Sequence, residues 1–301
     1  MYAKPIELSP AASLSVAARI MRLFSSLLFL LVCLAAAGAI HFWASLPNVA
    51  NLADPQTSIT ISVRDWEGQE QPFSLGPQNP DWTPLEAFPE HLPWAVVVAE
   101  DGAFYKHHGI DLQALHEALI YDLQQQRMAR GASTITQQLA KNLYLSREKT
   151  VLRKLREAVI AWRIENSLSK ERILELYLNL VELGPMVHGI TAGTRYHLDK
   201  PVTKLSSAES AFLAAILPGP RIAFNPRKRP ERVAERAKKL LYFMQLRRVL
   251  EGPQYELATR EVDIITGIAP RPVVQPAQHT PMNLLYEVGQ RPPWQLPLAT
   301  S

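Results

Sequence analysis

The sequence predicts a mainly α-helical domain that follows an N-terminal membrane-spanning helix. An uncharged, mostly apolar run covers residues 23–40, and its length is close to the roughly 20 residues that span a bilayer. From residue 84 onward, apolar residues recur at helical spacing between signals for helix ends. The chain has 301 residues, of which 47% are hydrophobic and 20% charged, enough for a sizeable core.

The charges around the apolar run predict its orientation. Arg19 and Arg22 precede it, and no Lys or Arg follows until Arg64. The positive-inside rule therefore places residues 1–22 in the cytoplasm, a transmembrane anchor at 23–43 and the remainder outside. A cleaved signal peptide is an alternative, because residues 35–39 are small, and a buried soluble helix is a third interpretation.

Composition narrows the functional classes. The net charge of +4 fits an anionic partner such as a membrane surface or a phosphate, but no nucleic-acid-binding signature is present. The single cysteine, Cys33, excludes an intrachain disulfide and a cysteine-based metal site.

Beyond the anchor, the chain divides into three parts. Residues 44–83 are predicted to be a stalk with one short strand at 57–63, residues 84–251 the compact domain, and residues 252–301 a tail that is Pro-rich from 268. Inside the domain, helices are predicted at 112–126, 133–144, 150–168, after Ser169, 208–217 and 230–250. Three features mark helix starts, namely Asp111, Ser169 and the capping box of Ser206 and Glu209.

Two adjacent carboxylates, Glu100 and Asp101, end the apolar run 94–99. Such a run can leave a carboxylate half-desolvated, which raises the pKa of a Glu towards neutrality and suits it to act as a base. A helix that ends in solvated acids is the alternative for an arbitrary Glu-Asp pair.

A polar stripe follows on a helix that begins near Ser133. Its members recur every three or four residues, and they are Thr134, Gln137, Gln138 and Lys141. Backbone N–H groups at the helix start and Lys141 could hold an anion; a solvated helix face is the other interpretation. Further on, Arg153 and Glu157 are i,i+4 neighbours, consistent either with a surface ion pair or with phosphate contacts beside a second carboxylate.

Four stretches in order resemble the motifs of the peptidoglycan glycosyltransferases, the glycan-polymerising domains of class A penicillin-binding proteins and of monofunctional transglycosylases. The first motif, Glu-Asp-x-x-Phe-x-x-His-x-Gly, comprises Glu100, Asp101, Phe104, His107 and Gly109. The second, Gly-x-Ser-Thr-Ile-Thr-Gln-Gln, covers residues 131–138, with Lys141 and Asn142 following. The third and fourth comprise Arg153, Lys154, Glu157, Tyr177, Leu178 and Asn179.

The resemblance implies a lysozyme-like helical transglycosylase domain with an N-terminal transmembrane helix. It implies an inverting hexosyltransferase that polymerises lipid II into β-1,4-linked glycan strands and releases polyprenyl pyrophosphate, in bacterial cell-wall synthesis. The implied partners are lipid II, the growing glycan strand, the membrane and other cell-wall synthesis proteins, with no nucleic acid. The implied location is the bacterial inner membrane, with a single span, a cytoplasmic N-terminus and an extracytoplasmic catalytic domain.

The same resemblance assigns roles to individual residues. Glu100 is the implied base, and Glu157 is the second acid, positioning the donor or a divalent ion, Mg or Mn, near its pyrophosphate. No cofactor is certain. Phosphate contacts are implied for Lys141, Arg153 and Lys154. The donor cleft is implied to be lined by Asp101, Phe104, Ser133, Thr134, Gln137, Gln138 and Asn142. The segment 120–130 is expected to dip into the bilayer.

The chain departs from the family pattern at residues 194–200. No transpeptidase domain fits after residue 251, so the monofunctional type is expected. A peptidoglycan-cleaving enzyme of lysozyme-like fold is the nearest rival, but it would not need Lys141, Arg153 and Lys154. A non-catalytic anchor for cell-wall proteins is the second rival.

Overall fold

The computed structural model describes residues 10–64, 67, 69–125, 132–146, 148 and 150–268. It divides into one unit of residues 1–47 and another of residues 48–301. The first unit contains α1 (Pro10–Ala44), within which Ala18–Ala44 has a mean hydropathy of 2.5 and is long and apolar enough to cross a membrane. The predicted apolar span is therefore helical. A signal sequence near the N-terminus would form the same kind of apolar helix.

The second unit begins with an antiparallel hairpin of β1 (Ile59–Arg64) and β2 (Glu70–Leu75), in register from Ile59 opposite Leu75. One strand was predicted here from the alternating pattern, and its partner was missed. Pro72 lies within β2, a position that an edge strand tolerates because only one side is paired.

Helices make up most of the remaining chain, as predicted. They are α2 (His91–Glu100), α3 (Leu112–Gln125), α4 (Ile135–Tyr144), α5 (Val151–Ser167), α6 (Lys170–Leu180), α7 (Ile190–Leu198), α8 (Ser207–Ile216), α9 (Pro230–Leu246) and α10 (Gly252–Ile265). Two short strands, β3 (Glu182–Gly184) and β4 (Val187–His188), pair between α6 and α7.

Several helices begin where local hydrogen bonding predicts. Asp111 Oδ1 accepts from the Ala114 N–H at 2.8 Å, and Ser169 Oγ accepts from the Arg172 N–H at 3.2 Å. Ser206 and Glu209 form the predicted capping box of α8. Two bounds differ from prediction: α4 is capped by Thr134 rather than beginning near Ser133, and α9 ends at Leu246 rather than 250.

Helix α10 was not predicted, because residues beyond 251 were expected to form a tail. Pro253 near its start and the capping box of Glu251 and Gln254 are the local signals that could have revealed it. The predicted Pro-rich tail beyond residue 268 lies outside the described residues.

The core has two groups of helices, with the site between them. Helix α8, whose side chains are buried along nearly its whole length, packs against α2, α9 and α10. Helix α4 packs against α5 and α6. Glu100, at the end of α2, reaches Gln138 of α4 and Arg236 of α9. The carboxylate of Glu100 therefore lies where the two groups of helices meet.

Candidate active site

Glu100 is the last residue of α2, and its carboxylate is nearly enclosed. Its side chain is 10% exposed. The Gln138 Nε2 group donates to Oε2 at 2.8 Å, and the Tyr177 hydroxyl donates to Gln138 Oε1 at 3.0 Å. Arg236 Nη2 lies 3.5 Å from Oε1. The acid is thus held by one neutral donor and one cation, not solvated at a helix end.

The pKa of Glu100 is raised above its ordinary value of 4.5, chiefly because burial penalises the charged form. The hydrogen bond from Gln138 and the charges of Arg236 and Lys141 act in the opposite direction and favour the carboxylate. A carboxyl group poised in this way matches the requirement for a general base that works near neutral pH.

Asp101 is buried, and its oxygens are used within the protein. Oδ2 accepts from the backbone N–H of Ile135 at 3.0 Å, at the N-terminus of α4, where a negative charge is favourable. His107 Nε2 lies 3.0 Å from Oδ1. Asp101 therefore joins the end of α2 to the start of α4 and gives the two adjacent acids different surroundings.

The N-terminal turn of α4 is fixed by its own residues. Thr134 Oγ1 accepts from the Gln137 N–H at 3.1 Å and donates to the Gly109 carbonyl at 2.7 Å, and Gln137 Oε1 accepts from the Thr134 N–H at 3.1 Å. Both side chains are buried. Gly109 has φ +85°, and a Cβ there would lie 3.1 Å from the Ala161 carbonyl oxygen.

Phe104 is fully buried, with the Lys170 ammonium 4.5 Å from the centre of its ring. In this structure Phe104, Thr134 and Gln137 are buried in the protein interior, while Ser133 and Asn142 are exposed. That these residues bind substrate stays a prediction.

Helix α5 supplies a second carboxylate with two cations. Glu157 is 2% exposed; Arg153 Nη1 donates to its Oε2 at 2.7 Å, and Lys154 Nζ donates to its Oε1. Lys154 Nζ also donates to Ser133 Oγ at 3.1 Å. The ion pair between Arg153 and Glu157 that their spacing predicts is present, and its carboxylate is buried.

The ammonium group of Lys141 interacts with the charges of both carboxylates, Glu100 and Glu157. Its side chain is exposed overall, yet the surrounding protein desolvates the ammonium group and lowers its pKa. Arg153 and Lys154 lower the pKa further, while Glu157 and Glu100 raise it. The structure therefore brings Glu100, Gln138, Lys141, Arg153, Lys154 and Glu157 into one neighbourhood.

The chemistry of the donor set does not describe a closed metal site. Both oxygens of Glu157 already accept hydrogen bonds from cations. Because Mg²⁺ is commonly held by one or two carboxylates together with substrate phosphates, an ion here would be shared with a bound pyrophosphate. Asp101, His107 and Asp111 also lie close together, but the hydrogen bonds to Ile135, within the cluster and to Ala114 account for that arrangement.

Sequence reasoning missed Arg236, which the structure places against Glu100. It lies in the helix predicted at 230–250, and no local spacing connects it with residue 100. Asn179 of the fourth motif, in contrast, is buried and holds the segment before α2: its Oδ1 accepts from the Thr83 N–H and its Nδ2 donates to the Thr83 carbonyl, each at 2.8 Å.

A nearly enclosed carboxyl group beside several cations meets the needs of a group-transfer enzyme, in which a base accepts a proton while an anion departs. The helical fold and this site are compatible with that class. Known proteins identify the class more closely.

A family model described as Transglycosylase matches residues 69–245. Penicillin-binding protein 1A of Neisseria lactamica is 38% identical over 219 residues, which are 73% of this chain and 27% of that protein. The biosynthetic peptidoglycan transglycosylase of Nitrosomonas eutropha is 44% identical over 160 residues, which are 53% of this chain and 65% of that protein. The match thus spans about a quarter of the penicillin-binding protein and under two thirds of the transglycosylase.

The chain belongs to the transglycosylase family, and its helical unit contains a peptidoglycan transglycosylase domain.

Proposed function

We propose that this chain is an inverting peptidoglycan glycosyltransferase that joins lipid II units into β-1,4-linked glycan and releases polyprenyl pyrophosphate. The observation that carries the proposal is the enclosed Glu100 carboxyl group, whose pKa is raised by burial and which lies near the cations around Glu157. The family supports a transglycosylase, and the names of the relatives support peptidoglycan as the product class.

In the proposed step, the 4-hydroxyl oxygen of the acceptor sugar attacks C1 of the donor sugar. The C1–O bond to the pyrophosphate breaks, the electron pair leaves with the phosphate oxygen, and the hydroxyl proton passes to Glu100. Because attack occurs opposite the leaving group, the α-linked donor gives a β-linked product. The two-carboxylate scheme of inverting glycosidases is a partial analogy, with a sugar hydroxyl replacing water.

The departing pyrophosphate gains negative charge, which fixed cations stabilise. Lys141, Arg153 and Lys154 are the cations we assign to it. Glu157 fixes Arg153 and Lys154 through its two hydrogen bonds, so the donors are oriented before the substrate arrives. Ser133, whose hydroxyl accepts a hydrogen bond from Lys154, extends this group of polar side chains towards the start of α4.

We further propose that the protein works at a membrane surface, because lipid II and its product are anchored in lipid. Helix α1 would contain a single span with a cytoplasmic N-terminus, as Arg19 and Arg22, which precede its apolar run, favour. On α3 the leucines at 112, 115, 119 and 123 are all more than half exposed, as is Leu152 of α5. We assign this apolar surface to contact with the bilayer. Of the predicted dipping segment 120–130, residues 126–130 lie outside the described part of the chain.

The deciding experiment offers the purified full chain two substrates, lipid II in vesicles and finished peptidoglycan. We expect polymer from lipid II and no cleavage of peptidoglycan. Glu100→Gln should lower polymerisation by about 10²- to 10⁴-fold, and Glu256→Gln, at an exposed site on α10, should not change it. Cleavage of peptidoglycan alone would identify a peptidoglycan-cleaving enzyme instead. No activity on either substrate would favour the non-catalytic anchor.

The same assay, run with and without a chelator, tests whether a divalent ion takes part in the reaction. If an ion is shared between Glu157 and pyrophosphate, EDTA should lower polymerisation and added Mg²⁺ or Mn²⁺ should restore it. The Glu157→Gln variant should then respond less to added ion than the wild type does. Equal rates with and without EDTA would remove the ion from the mechanism and leave the three cations as the electrostatic partners.

A further inference from the structure

Helix α9 reaches the end of α2 with Arg236, and Arg247 follows directly after the helix. Arg236 Nη2 donates to the carbonyl of Ala99 at 3.1 Å, although the two residues are 137 positions apart. Arg247 Nη2 donates to the carbonyl of Gly102 at 2.9 Å. The two guanidinium groups thus hold the backbone on either side of Glu100 and Asp101.

The first of these arginines also faces the carboxylate. Arg236 Nη2 lies 3.5 Å from Glu100 Oε1, and its side chain is 28% exposed. Oε1 is buried and, among the described residues, has no hydrogen-bond partner, whereas Oε2 accepts from Gln138. Oε1 therefore has lone pairs that no donor among the described residues occupies, and Arg236 is the cation that faces it.

The guanidinium of Arg236 is itself oriented by packing. It lies over the ring of Phe224, 5.3 Å from the ring centre, and Arg232 lies over the same ring at 4.5 Å. A guanidinium stacked on an aromatic face and bonded to a carbonyl has few remaining conformations. Its position against Glu100 is therefore set before substrate binds.

We propose that Arg236 is a positioning residue of the transfer reaction, which fixes the end of α2 and keeps the Glu100 carboxylate ionised. This inference rests on the proposed function, because it assigns Arg236 a role through the base that the reaction requires. A proposed phosphate contact such as Lys141 would act on the leaving group, whereas Arg236 acts on the base.

The other groups that face Glu100 come from α4, from α6 and from the residue that follows α2. Lys141 of α4 favours the carboxylate, as Arg236 does, but its effect on the pKa of Glu100 is smaller. Asp101, next in the chain, disfavours it. Gln138 of α4 donates a hydrogen bond, and Tyr177 of α6 bonds to that Gln and is neutral because burial raises its pKa well above 10.0. With Arg236 removed, Lys141 is the cation among the described residues that still lowers the pKa of Glu100.

The test compares Arg236→Met, Arg236→Lys and Arg247→Met in the full chain with lipid II in vesicles, across a range of pH. Arg236→Met should lower kcat/KM about 10- to 100-fold and move its acid limb to higher pH by about one unit, because a cation at this distance moves a carboxyl pKa by roughly one to three units. Arg236→Lys should keep the acid limb near that of the wild type. Arg247→Met, which loses the tether to the Gly102 carbonyl, should leave the acid limb in place.

A second measurement reads Glu100 without turnover. The carboxyl resonance of Glu100 in ¹³C-labelled protein, identified by its loss in Glu100→Gln, should titrate at higher pH in Arg236→Met than in the wild type. An unmoved resonance and acid limb in folded Arg236→Met would overturn the inference. If Arg236→Met does not fold, an Arg236→Lys variant with a shifted limb would equally refute it. A wild type that makes no polymer would instead refute the proposed function, while the titration would still judge the contact.

Discussion

Gln138 donates a hydrogen bond of 2.8 Å from its Nε2 to Oε2 of Glu100, and this bond links α4 to the end of α2. The amide can donate to Glu100 only while its oxygen points the other way, towards the Tyr177 hydroxyl at 3.0 Å. Tyr177, fully buried in α6, therefore sets the orientation of the amide that holds the proposed base.

The hydroxyl of Tyr177 should matter for rate more than for fold. In Tyr177→Phe the phenyl ring still fills the core, but the Gln138 amide is free to turn its oxygen towards Glu100. We expect kcat for lipid II polymerisation to fall about tenfold with KM nearly unchanged, since a hydrogen bond to a charged group contributes about 1.5 kcal/mol or more. Tyr242→Phe, on the exposed side of α9, is the matched control and should match the wild type. A normal kcat in Tyr177→Phe would show that the amide needs no such support.

The pH profile of kcat/KM should be bell-shaped. The acid limb should lie above 4.5, because burial raises the pKa of Glu100 and activity needs its ionised form. The basic limb should lie below 10.5, because desolvation lowers the pKa of Lys141 and the leaving group needs its ammonium form. The basic limb should move to higher pH in Lys141→Arg, since a guanidinium stays charged. An acid limb at 4.5 or lower would remove Glu100 from the role of base.

Glu100 should lower the stability of the free protein at neutral pH. Its folded pKa is raised, so its favourable contribution is present below the unfolded pKa and is lost as the pH rises through the folded pKa. Glu100→Gln should therefore be more stable than the wild type at pH 7, by on the order of 1 kcal/mol, with the difference shrinking towards pH 4. Thermal unfolding at the two pH values measures this. Equal unfolding temperatures for Glu100→Gln and the wild type at both pH values would contradict this expectation.

Glu157 should be needed for both stability and activity. Its buried carboxylate accepts from Arg153 and Lys154, so Glu157→Gln leaves two cations without a countercharge. We expect a loss of about 1–3 kcal/mol in the free energy of unfolding and a drop in polymerisation. Glu86→Gln, at an exposed turn before α2, is the control for removal of a carboxylate. Wild-type activity in folded Glu157→Gln would show that the donor site does not require this acid.

A side chain at Gly109 should destabilise the protein. Its φ is +85°, and a Cβ would lie 3.1 Å from both the Ala161 carbonyl oxygen and Glu165 Cγ. We expect Gly109→Ala to destabilise the protein by about 2–4 kcal/mol, through both strain and collision. Gly267 has a φ of +68° with nothing within 4 Å of a Cβ, so Gly267→Ala measures the strain alone. Equal losses in the two variants would show that α5 moves aside without cost.

The sequence predicted the parts of the site that depend on neighbours in the chain. The caps at Asp111, Ser169 and Ser206 were predicted because each bonds an N–H three residues on, a distance that any helix start fixes. The pairing of Arg153 with Glu157 follows in the same way from helical spacing. The motifs also sufficed to identify the family, and the helical class followed from periodicity.

The features that the sequence could not predict depend on contacts between distant segments. Asp101 differs from Glu100 because its oxygen meets the N–H of Ile135, 34 positions later. Arg236 meets Glu100 because α9 packs against α2, and no periodicity within either helix encodes that approach. The sequence by itself determined which acid follows the apolar run and where most of the helices lie along the chain. The tertiary structure alone decided that the acid is enclosed and which cation faces its free oxygen, because desolvation and charge depend on neighbours that only folding brings close.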